Sequence, residues 1–180
     1  MQKHETSIEG AYLIEPQVHG DDRGFFFESF NVDKFAALGL DIVIRQANHS
    51  KSAQGVLRGL HFQKAPKPMG KLVRCSAGTI WDVAVDLRKN SPTFMKWHGV
   101  ELSDENKKMF YVPEGCAHGF YSMTDSEMLY LCTNTYDDDL DANVQWNDSA
   151  FGIDWKTGSD PALSERDSKA PSFEELNYTY

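Results

Sequence analysis

The sequence is poor in cysteine and has no cysteine pair at the spacing of a redox or zinc motif. The chain has three cysteines, an odd number, and no C-x-x-C pattern occurs. They are Cys75, Cys116 and Cys132. This usage argues against a disulfide scaffold and predicts buried free thiols in a reducing compartment. We therefore expect a cytoplasmic protein.

Long apolar segments and a surplus of basic residues are also missing. No apolar run approaches the roughly 18 residues of a transmembrane helix, and the first six residues do not resemble a secretory signal. The formal net charge is −9, with 18 Lys and Arg against 27 Asp and Glu. A nucleic-acid-binding protein normally has the opposite balance. We expect neither a membrane nor a nucleic-acid partner, and a few arginines would have to hold any anionic ligand.

The pattern of the chain favours β-structure in a single domain covering residues 1–180. Strands are predicted over 10–15, 25–30, 42–48, 56–62, 71–77, 79–87, 97–102, 109–112, 117–123 and 127–136. A helix is predicted over 31–39, with Asn31 as its cap and Gly39 at its C-terminal end. Short helical turns are predicted at 164–168 and 171–176. Many short strands with little helix between them indicate a β-sandwich, jelly roll or barrel.

Three adjacent phenylalanines, Phe25, Phe26 and Phe27, lie in one predicted strand. Side chains alternate along a strand, so the three rings cannot all face one side. Either the strand is buried on both faces, or a ring points to a second layer, a partner chain or a flat ligand.

Segment 57–63 places Arg58 and His61 in an apolar strand, with Gly59 between them. Burying either charge-bearing side chain is unfavourable unless it is paired or used. A glycine within a strand often marks the close approach of a ligand or of another backbone. Arg58 could hold an anion and His61 could transfer a proton, or both could be structural.

Three further polar side chains lie in or beside strands expected in the core. Lys71 shares a predicted strand face with Val73 and Cys75. His118 follows a turn, and Tyr130 lies in an apolar strand without a charged neighbour. Each alone is explained structurally. Together with His61 they form a set of base, electrophile and acid.

Eight segments carry a resemblance to a known family. They are DRGFFFES at 22–29, NHSKS at 48–52, LRGLHFQ at 57–63, GKLVRC at 70–75, PEGCAHGF at 113–120, WND at 146–148, GIDW at 152–155 and LSERD at 163–167. These segments, in the order in which they occur, strongly resemble those of the dTDP-4-dehydrorhamnose 3,5-epimerases. The resemblance extends over nearly the whole chain. The resemblance implies an all-β, cupin-type jelly roll that works as a homodimer. It also implies a dTDP-linked 4-keto-6-deoxy sugar as substrate, without metal or other cofactor, in L-rhamnose precursor synthesis.

The resemblance also implies roles for individual residues. His61 matches the catalytic base, Asp167 the carboxylate that orients it and Tyr130 the proton donor, and Lys71 and His118 match groups around the keto oxygen. The nucleotide diphosphate would be contacted by Arg23, Glu28, Gln46, Asn48, Arg58 and Arg166, and the thymine by Phe26 and Tyr136. Asp141 matches an acidic contact near the nucleotide.

Three positions depart from the family pattern. Leu131 stands where many members have lysine, Thr135 replaces the first residue of a tyrosine doublet, and Asp141 replaces glutamate. Three alternatives stay open at this point: a 3-epimerase or ketoisomerase on another nucleotide-linked sugar, a metal-dependent cupin, and a non-catalytic sugar-binding jelly roll. The metal-dependent cupin is disfavoured because such a site needs a His-x-His pair. Residues 61–63 are His-Phe-Gln and lack the second histidine.

Overall fold

Two antiparallel sheets face each other in the computed structural model, which describes all residues from 1 to 180. The strands are β1 Gln2–Glu5, β2 Tyr12–Glu15, β3 His19–Asp21, β4 Gly24–Phe26, β5 Gln46–Ser52, β6 Leu57–Gln63, β7 Lys71–Ala77, β8 Thr79–Asp86, β9 Trp97–Ser103, β10 Met109–Val112, β11 Cys116–Ser122, β12 Ser126–Cys132 and β13 Asp141–Asn143. The helices are α1 Val32–Ala37, α2 Glu165–Ser168 and α3 Phe173–Leu176. None of the helices has the length and apolar content needed to cross a bilayer.

The strand order is that of a jelly roll. One sheet has six strands in the order β1-β2-β10-β7-β12-β5, and the other has five in the order β13-β6-β11-β8-β9. Strands β3 and β4 form a separate two-stranded ribbon. Neighbours such as β2 and β10 are distant in sequence, which requires long connections over the ends of the sandwich. The predicted all-β, cupin-type jelly roll is confirmed.

Three apolar clusters hold the layers together. The inner cluster lies between the sheets, with Val73 and Cys75 from one sheet packed against Ala84 and Phe120 from the other. The second contains Leu60 and Val83 of the five-stranded sheet, and residues of the C-terminal segment pack against it. The third joins α1 to Leu72 and Met109 of the six-stranded sheet. Each fully buried large side chain contributes about 1.5–3 kcal/mol.

Helix α1 forms as its sequence predicts. The Asn31 side chain accepts hydrogen bonds from the backbone N–H groups of Asp33 and Lys34, and Gly39 has a φ of 77° just beyond the C-terminus. Phe35 is fully buried and fixes the helix to the six-stranded sheet.

Several predicted strands differ from the observed bounds by one or two residues, and two strands of the six-stranded sheet differ by four residues at one or both ends. The strand predicted over 42–48 begins at Gln46, because Leu40 and Ile42 pack against the helix instead of pairing with a strand. The strand predicted over 127–136 ends at Cys132, where the backbone of Thr133 turns to bond with Gly70. Strands β1, β3 and β13 were not predicted, because they are short and lack an alternating apolar pattern.

The aromatic strand predicted over 25–30 is a short, exposed ribbon strand. Pairing covers Gly24–Phe26 alone, and Phe25 and Phe26 are 61% and 66% exposed. A strand buried on both faces is therefore the wrong alternative. The side chains of Lys107 and Arg74 lie over the rings of Phe25 and Phe27, at 4.3 and 5.2 Å from the ring centres.

Candidate active site

A polar cavity of about 150 Å³ opens between the two sheets, beyond the end of the inner apolar cluster. It is lined by Gln46, Asn48, His61, Phe62, Gln63, Met69, Lys71, Tyr130, Tyr136, Asp141 and Arg166. His61 comes from the five-stranded sheet, whereas Lys71 and Tyr130 come from the six-stranded sheet. The cavity therefore has a histidine on one wall and a phenol and an amine on the opposite wall.

His61 is held by a buried carboxylate from the C-terminal segment. Its Nε2 atom lies 2.6 Å from Oδ1 of Asp167, and Oδ2 of Asp167 accepts a hydrogen bond from the N–H of Gly59 at 3.4 Å. The N–H of Asp167 donates to Oγ of Ser164, which caps α2. Burial acts to raise the pKa of Asp167, but the hydrogen bonds from His61, Gly59 and Ser164 keep that pKa below its usual value. The carboxylate is thus ionised beside the imidazole.

A second histidine–carboxylate pair lies beside the first. His118 on β11 is directly opposite His61 on β6, and its Nε2 atom lies 2.9 Å from Oδ1 of Asp82. His118 is 5% exposed and is not among the residues that line the cavity. Burial lowers its pKa, and Asp82 opposes that effect without cancelling it. The ring is therefore neutral at pH 7.

Asp82 was not among the residues predicted from the sequence, although a carboxylate at this position in a strand is unusual. It interrupts the apolar run from Ile80 to Val85 and is fully buried. A carboxylate in the middle of a buried strand requires a partner, so this position could have been identified by the argument applied to His61.

Lys71 and Tyr130 extend from neighbouring strands of the six-stranded sheet. Lys71 lies on the inner face with Val73 and Cys75, while Leu72 faces outwards, as the alternation predicts. Burial lowers the pKa of Lys71, and the thiol of Cys132 and the carboxylates of Asp82 and Asp141 oppose that effect. Burial also raises the pKa of Tyr130, moving it further from neutral pH, where a phenol is already protonated.

The mouth of the cavity carries a linked group of polar side chains. The guanidinium of Arg166 lies 2.6 Å from Oδ2 of Asp141. The hydroxyl of Tyr136 lies 2.9 Å from Oδ1 of Asp138 and 3.1 Å from Oδ2 of Asp141, so the two carboxylates share its one proton. The bond to Asp138 is the largest of the effects that raise the pKa of Tyr136 to about 12. The predicted nucleotide contacts Tyr136, Asp141 and Arg166 therefore lie together.

Of the other predicted nucleotide contacts, some line the cavity and some do not. Gln46 and Asn48 line the cavity, and Nε2 of Gln46 donates to Oδ1 of Asn48 at 3.0 Å. Arg58 is exposed and does not line the cavity. Its guanidinium bonds to Oγ of Ser52 and to the carbonyl of Lys51 on β5.

Arg23, Phe26 and Glu28 are not brought to the cavity of their own chain. Arg23 is paired with Asp21 on the ribbon, and Glu28 is paired with Lys34 of α1. Phe26 lies exposed between them in sequence. All three belong to the ribbon or to the residues that follow it.

The three departures from the family pattern have different surroundings. Leu131 packs against the third cluster, on the face of β12 that points away from the cavity. Thr135 contributes its carbonyl to a hydrogen bond from Gln63. Asp141, as described, pairs with Arg166 at the cavity mouth. Nowhere do three or more His, Cys, Asp or Glu side chains form a group that could hold a metal ion.

Comparison with known proteins gives a consistent result. The family profile described as dTDP-4-dehydrorhamnose 3,5-epimerase matches residues 5–175. The enzyme of that name from Salmonella typhimurium is 49% identical over 97% of this chain and 96% of its own. The structure of dTDP-4-dehydrorhamnose 3,5-epimerase from Elizabethkingia anophelis superposes with a TM-score of 0.93 at 48% identity, covering 99% of each chain. The structure of dTDP-6-deoxy-D-glucose-3,5-epimerase from Legionella pneumophila, in complex with dTDP-4-keto-L-rhamnose, superposes with a TM-score of 0.92 at 41% identity, covering 99% of this chain and 98% of its own.

A protein with a narrower described activity shares the fold. ChmJ, a 3'-monoepimerase from Streptomyces bikiniensis in complex with dTDP-quinovose, has a TM-score of 0.90 at 36% identity, covering 98% of this chain and 91% of its own. The fold alone therefore does not separate one inversion from two. The extent and identity of the matches nevertheless establish that this chain belongs to the dTDP-4-dehydrorhamnose 3,5-epimerase family, and that it is an isomerase of the epimerase class.

Proposed function

We propose that the protein converts dTDP-4-keto-6-deoxy-D-glucose into dTDP-4-keto-L-rhamnose by inverting C3 and C5. The observation that carries this proposal is that His61 and Tyr130 face one cavity from opposite sheets, with Lys71 beside them. Family membership supports the substrate class.

The chemistry requires a base, an oxyanion holder and an acid. In a 4-keto sugar the C–H bonds at C3 and C5 are acidified by the C4 carbonyl. Removing either proton gives an enolate, and returning a proton from the opposite face inverts the centre. A histidine is a much weaker base than an enolate, and each pKa unit of mismatch costs about 1.4 kcal/mol. The site must therefore stabilise the enolate strongly.

His61 is proposed as the base. The ionised carboxylate of Asp167 bonds to its Nε2 atom, which leaves Nδ1 as the ring nitrogen that can accept a proton from the substrate. As the ring becomes positively charged, the adjacent carboxylate stabilises it.

Lys71 is proposed to hold the keto oxygen as it becomes an enolate. The Lys71 side chain is half-buried, and an ammonium group that is partly shielded from water acts more strongly on developing charge. His118 is neutral and occupied by Asp82, so we assign it a supporting part within the wall beside His61 and Lys71.

Tyr130 is proposed as the acid on the opposite face. A phenol of ordinary pKa is already protonated at neutral pH, and burial raises the pKa of Tyr130 further. A neutral phenol delivers a proton without the cost of burying a charge beforehand.

Arg166, Asp141, Tyr136, Gln46 and Asn48 are proposed to hold the nucleotide at the cavity mouth. Arginine binds a diphosphate through charge-assisted hydrogen bonds, which adds affinity remote from the reacting carbons. Arg58 would contribute to nucleotide binding from the rim of the cavity. The three free, buried cysteines support the cytoplasm as the location of this reaction.

The decisive assay uses coupled reduction of the product to dTDP-L-rhamnose, with NMR of the uncoupled product in deuterated buffer. Inversion and deuterium at both C3 and C5 are expected. Inversion at C3 alone would assign the protein to the 3-epimerases, and binding of the sugar without exchange would assign it to the non-catalytic jelly rolls.

We also propose a homodimer in which the ribbon of one protomer completes the cavity of its partner. The support is that Phe25 and Phe26 are exposed and that Arg23 and Glu28 lie outside their own cavity. Light scattering should give twice the mass of the chain, and a monomer at working concentration would contradict the proposal.

Subunit mixing tests the shared site directly. His61→Asn and Arg23→Ala chains should each be weakly active, but a mixed dimer would contain one intact site. Unfolding and refolding the two together should restore about a quarter of the wild-type activity, because half the dimers are mixed and each has one such site. No recovery would mean that Arg23 acts within its own chain.

A further inference from the structure

Gln63 lies at the centre of a buried hydrogen-bond network beside the cavity. It is 3% exposed and lies two residues after His61 on β6. Its Nε2 atom donates to the carbonyls of Lys67 at 2.5 Å and Thr135 at 3.2 Å, and its Oε1 atom accepts from the N–H of Asp137 at 2.9 Å. Two carbonyl acceptors and one N–H donor define the orientation of the amide. Both of its N–H groups are therefore used.

These bonds join two loops whose ends are also linked through the backbone, where the N–H of Thr133 donates to the carbonyl of Gly70 and the N–H of Lys64 donates to the carbonyl of Leu140. One loop follows β6 and contains Lys67, and the other follows β12 and contains Thr135, Tyr136 and Asp137. Gln63 binds the backbone on both sides of Tyr136, while the N–H of Tyr136 itself donates to Oε1 of Gln46 at 2.8 Å. The backbone of the proposed thymine contact is thus held by two glutamine side chains.

Other side chains link the loops nearer their ends. Nδ2 of Asn134 donates to the carbonyl of Pro68 at 3.0 Å, and the N–H of Gly70 donates to Oγ1 of Thr133 at 2.8 Å. One further link is more open to solvent. Nζ of Lys67 and Oδ2 of Asp137 are 3.3 Å apart, with each side chain about a third exposed (31% and 33%). Ion pairs that are this open to solvent contribute little to stability. A buried amide whose loss leaves carbonyl and N–H groups without partners has a larger effect.

We propose that Gln63 is a positioning residue that sets the nucleotide side of the cavity by holding the loop that carries Tyr136. This inference rests on the proposed function. Gln63 would affect binding of the nucleotide and leave the proton transfers at His61 and Tyr130 largely unchanged.

The test compares Gln63→Glu and Gln63→Met with wild type. Glutamate has nearly the same shape but turns an acceptor towards two carbonyls, whereas methionine removes all three bonds. Each variant should raise KM for the dTDP-sugar and the Kd for dTDP, measured by calorimetry, at least tenfold, with kcat within about threefold of wild type. Hydrogen exchange of the backbone over residues 133–141 should also become faster. If Gln63→Glu does not fold, Gln63→Met decides the question by the same measurements.

Gln54→Glu is the matched control, because Gln54 is exposed and its side chain makes no hydrogen bond. It introduces the same charge and should leave all these values unchanged.

A further measurement, the pH dependence of dTDP affinity, separates the two Gln63 variants. Lowering the pH protonates the carboxylate introduced by Gln63→Glu, which can then donate one hydrogen bond. The dTDP affinity relative to wild type should therefore recover in Gln63→Glu but not in Gln63→Met.

Unchanged exchange over 133–141 together with unchanged KM and Kd would overturn the proposal. A fall in kcat at constant KM would also overturn it, since Gln63 would then act at the reacting carbons. A wild-type protein that binds dTDP but does not epimerise would refute the proposed function, while the binding and exchange data would still decide the role of Gln63.

Discussion

The Nε2 atom of His61 and Oδ1 of Asp167 lie 2.6 Å apart although 106 positions separate the two residues in the chain. The contact requires α2 to sit against β6, where Ser164 caps the helix and Gly59 supplies a second hydrogen bond. The C-terminal segment is therefore part of the candidate site.

Replacing Asp167 with asparagine should lower kcat/KM by about 10²–10⁴-fold, because an amide cannot stabilise the imidazolium and can select the wrong tautomer. Exchange of substrate protons with deuterated solvent should fall equally, since no enolate forms. Steady-state rates and NMR check this. Asp160→Asn, at an exposed position, is the control. Full activity in Asp167→Asn would remove the carboxylate from the mechanism.

Replacing Tyr130 with phenylalanine should separate proton removal from inversion. His61 would still form the enolate and return a proton to the original face, so deuterium should enter C3 or C5 without inversion. Epimerisation should fall by up to about 10²–10⁴-fold, and exchange by much less. NMR of substrate recovered from deuterated buffer, together with the coupled assay, measures both.

Equal losses of exchange and inversion in Tyr130→Phe would show that the phenol helps to form the enolate. Internal return of an unexchanged proton could give the same result. A substrate deuterated at C3 and C5 beforehand distinguishes the two cases, because loss of deuterium then reports every proton removal.

Gly119→Ala should destabilise the fold by about 1–3 kcal/mol, because the added methyl group overpacks a site walled by backbone. A Cβ at this position would lie 2.7 Å from the carbonyl oxygen of Arg58 and 3.0 Å from Cα of Gly59. Urea unfolding measures the change. Gly158→Ala is the control, since nothing lies within 4 Å of its Cβ position. Equal stability of the two variants would contradict the predicted close contact of β6 and β11.

The buried His118 should make stability depend on pH. Its folded-state pKa is lowered by burial, so below pH 6.5 the unfolded chain takes up a proton that the folded chain does not. Wild type should therefore lose stability relative to His118→Gln as the pH falls from about 7.5 to about 5.5, by at most about 1.4 kcal/mol per pH unit. Urea unfolding of both proteins at each pH gives the difference. A difference that stays constant or grows in favour of wild type would contradict the neutral, buried ring.

Metal removal should leave activity unchanged, because Lys71 can supply the positive charge at the keto oxygen. The measurement is activity after dialysis against a chelator, combined with elemental analysis of the protein. Loss of activity that a single divalent ion restores would replace the proposed mechanism.

The pattern of residues along the chain was enough to predict an all-β fold and three polar groups of the cavity wall, those of His61, Lys71 and Tyr130. Alternation places Lys71, Val73 and Cys75 on one face of β7, and the structure has them there. His61 and Tyr130 stood out because polar groups in apolar strands require a partner or a use. The aromatic ribbon was recognisable as unusual, but its exposure was not, because exposure depends on which layers cover it.

Only the folded structure shows which polar residues come into contact. Alternation assigns a side chain to a face of its strand, but it does not say which strands are neighbours or in which register. His61 is opposite His118, and Asp82 reaches His118, through pairings between strands far apart in sequence. The same holds for Gln63, whose amide joins two loops that acquire their positions from the packing of the two sheets. Local pattern sets the face of each strand, whereas contacts over long sequence separations assemble the site.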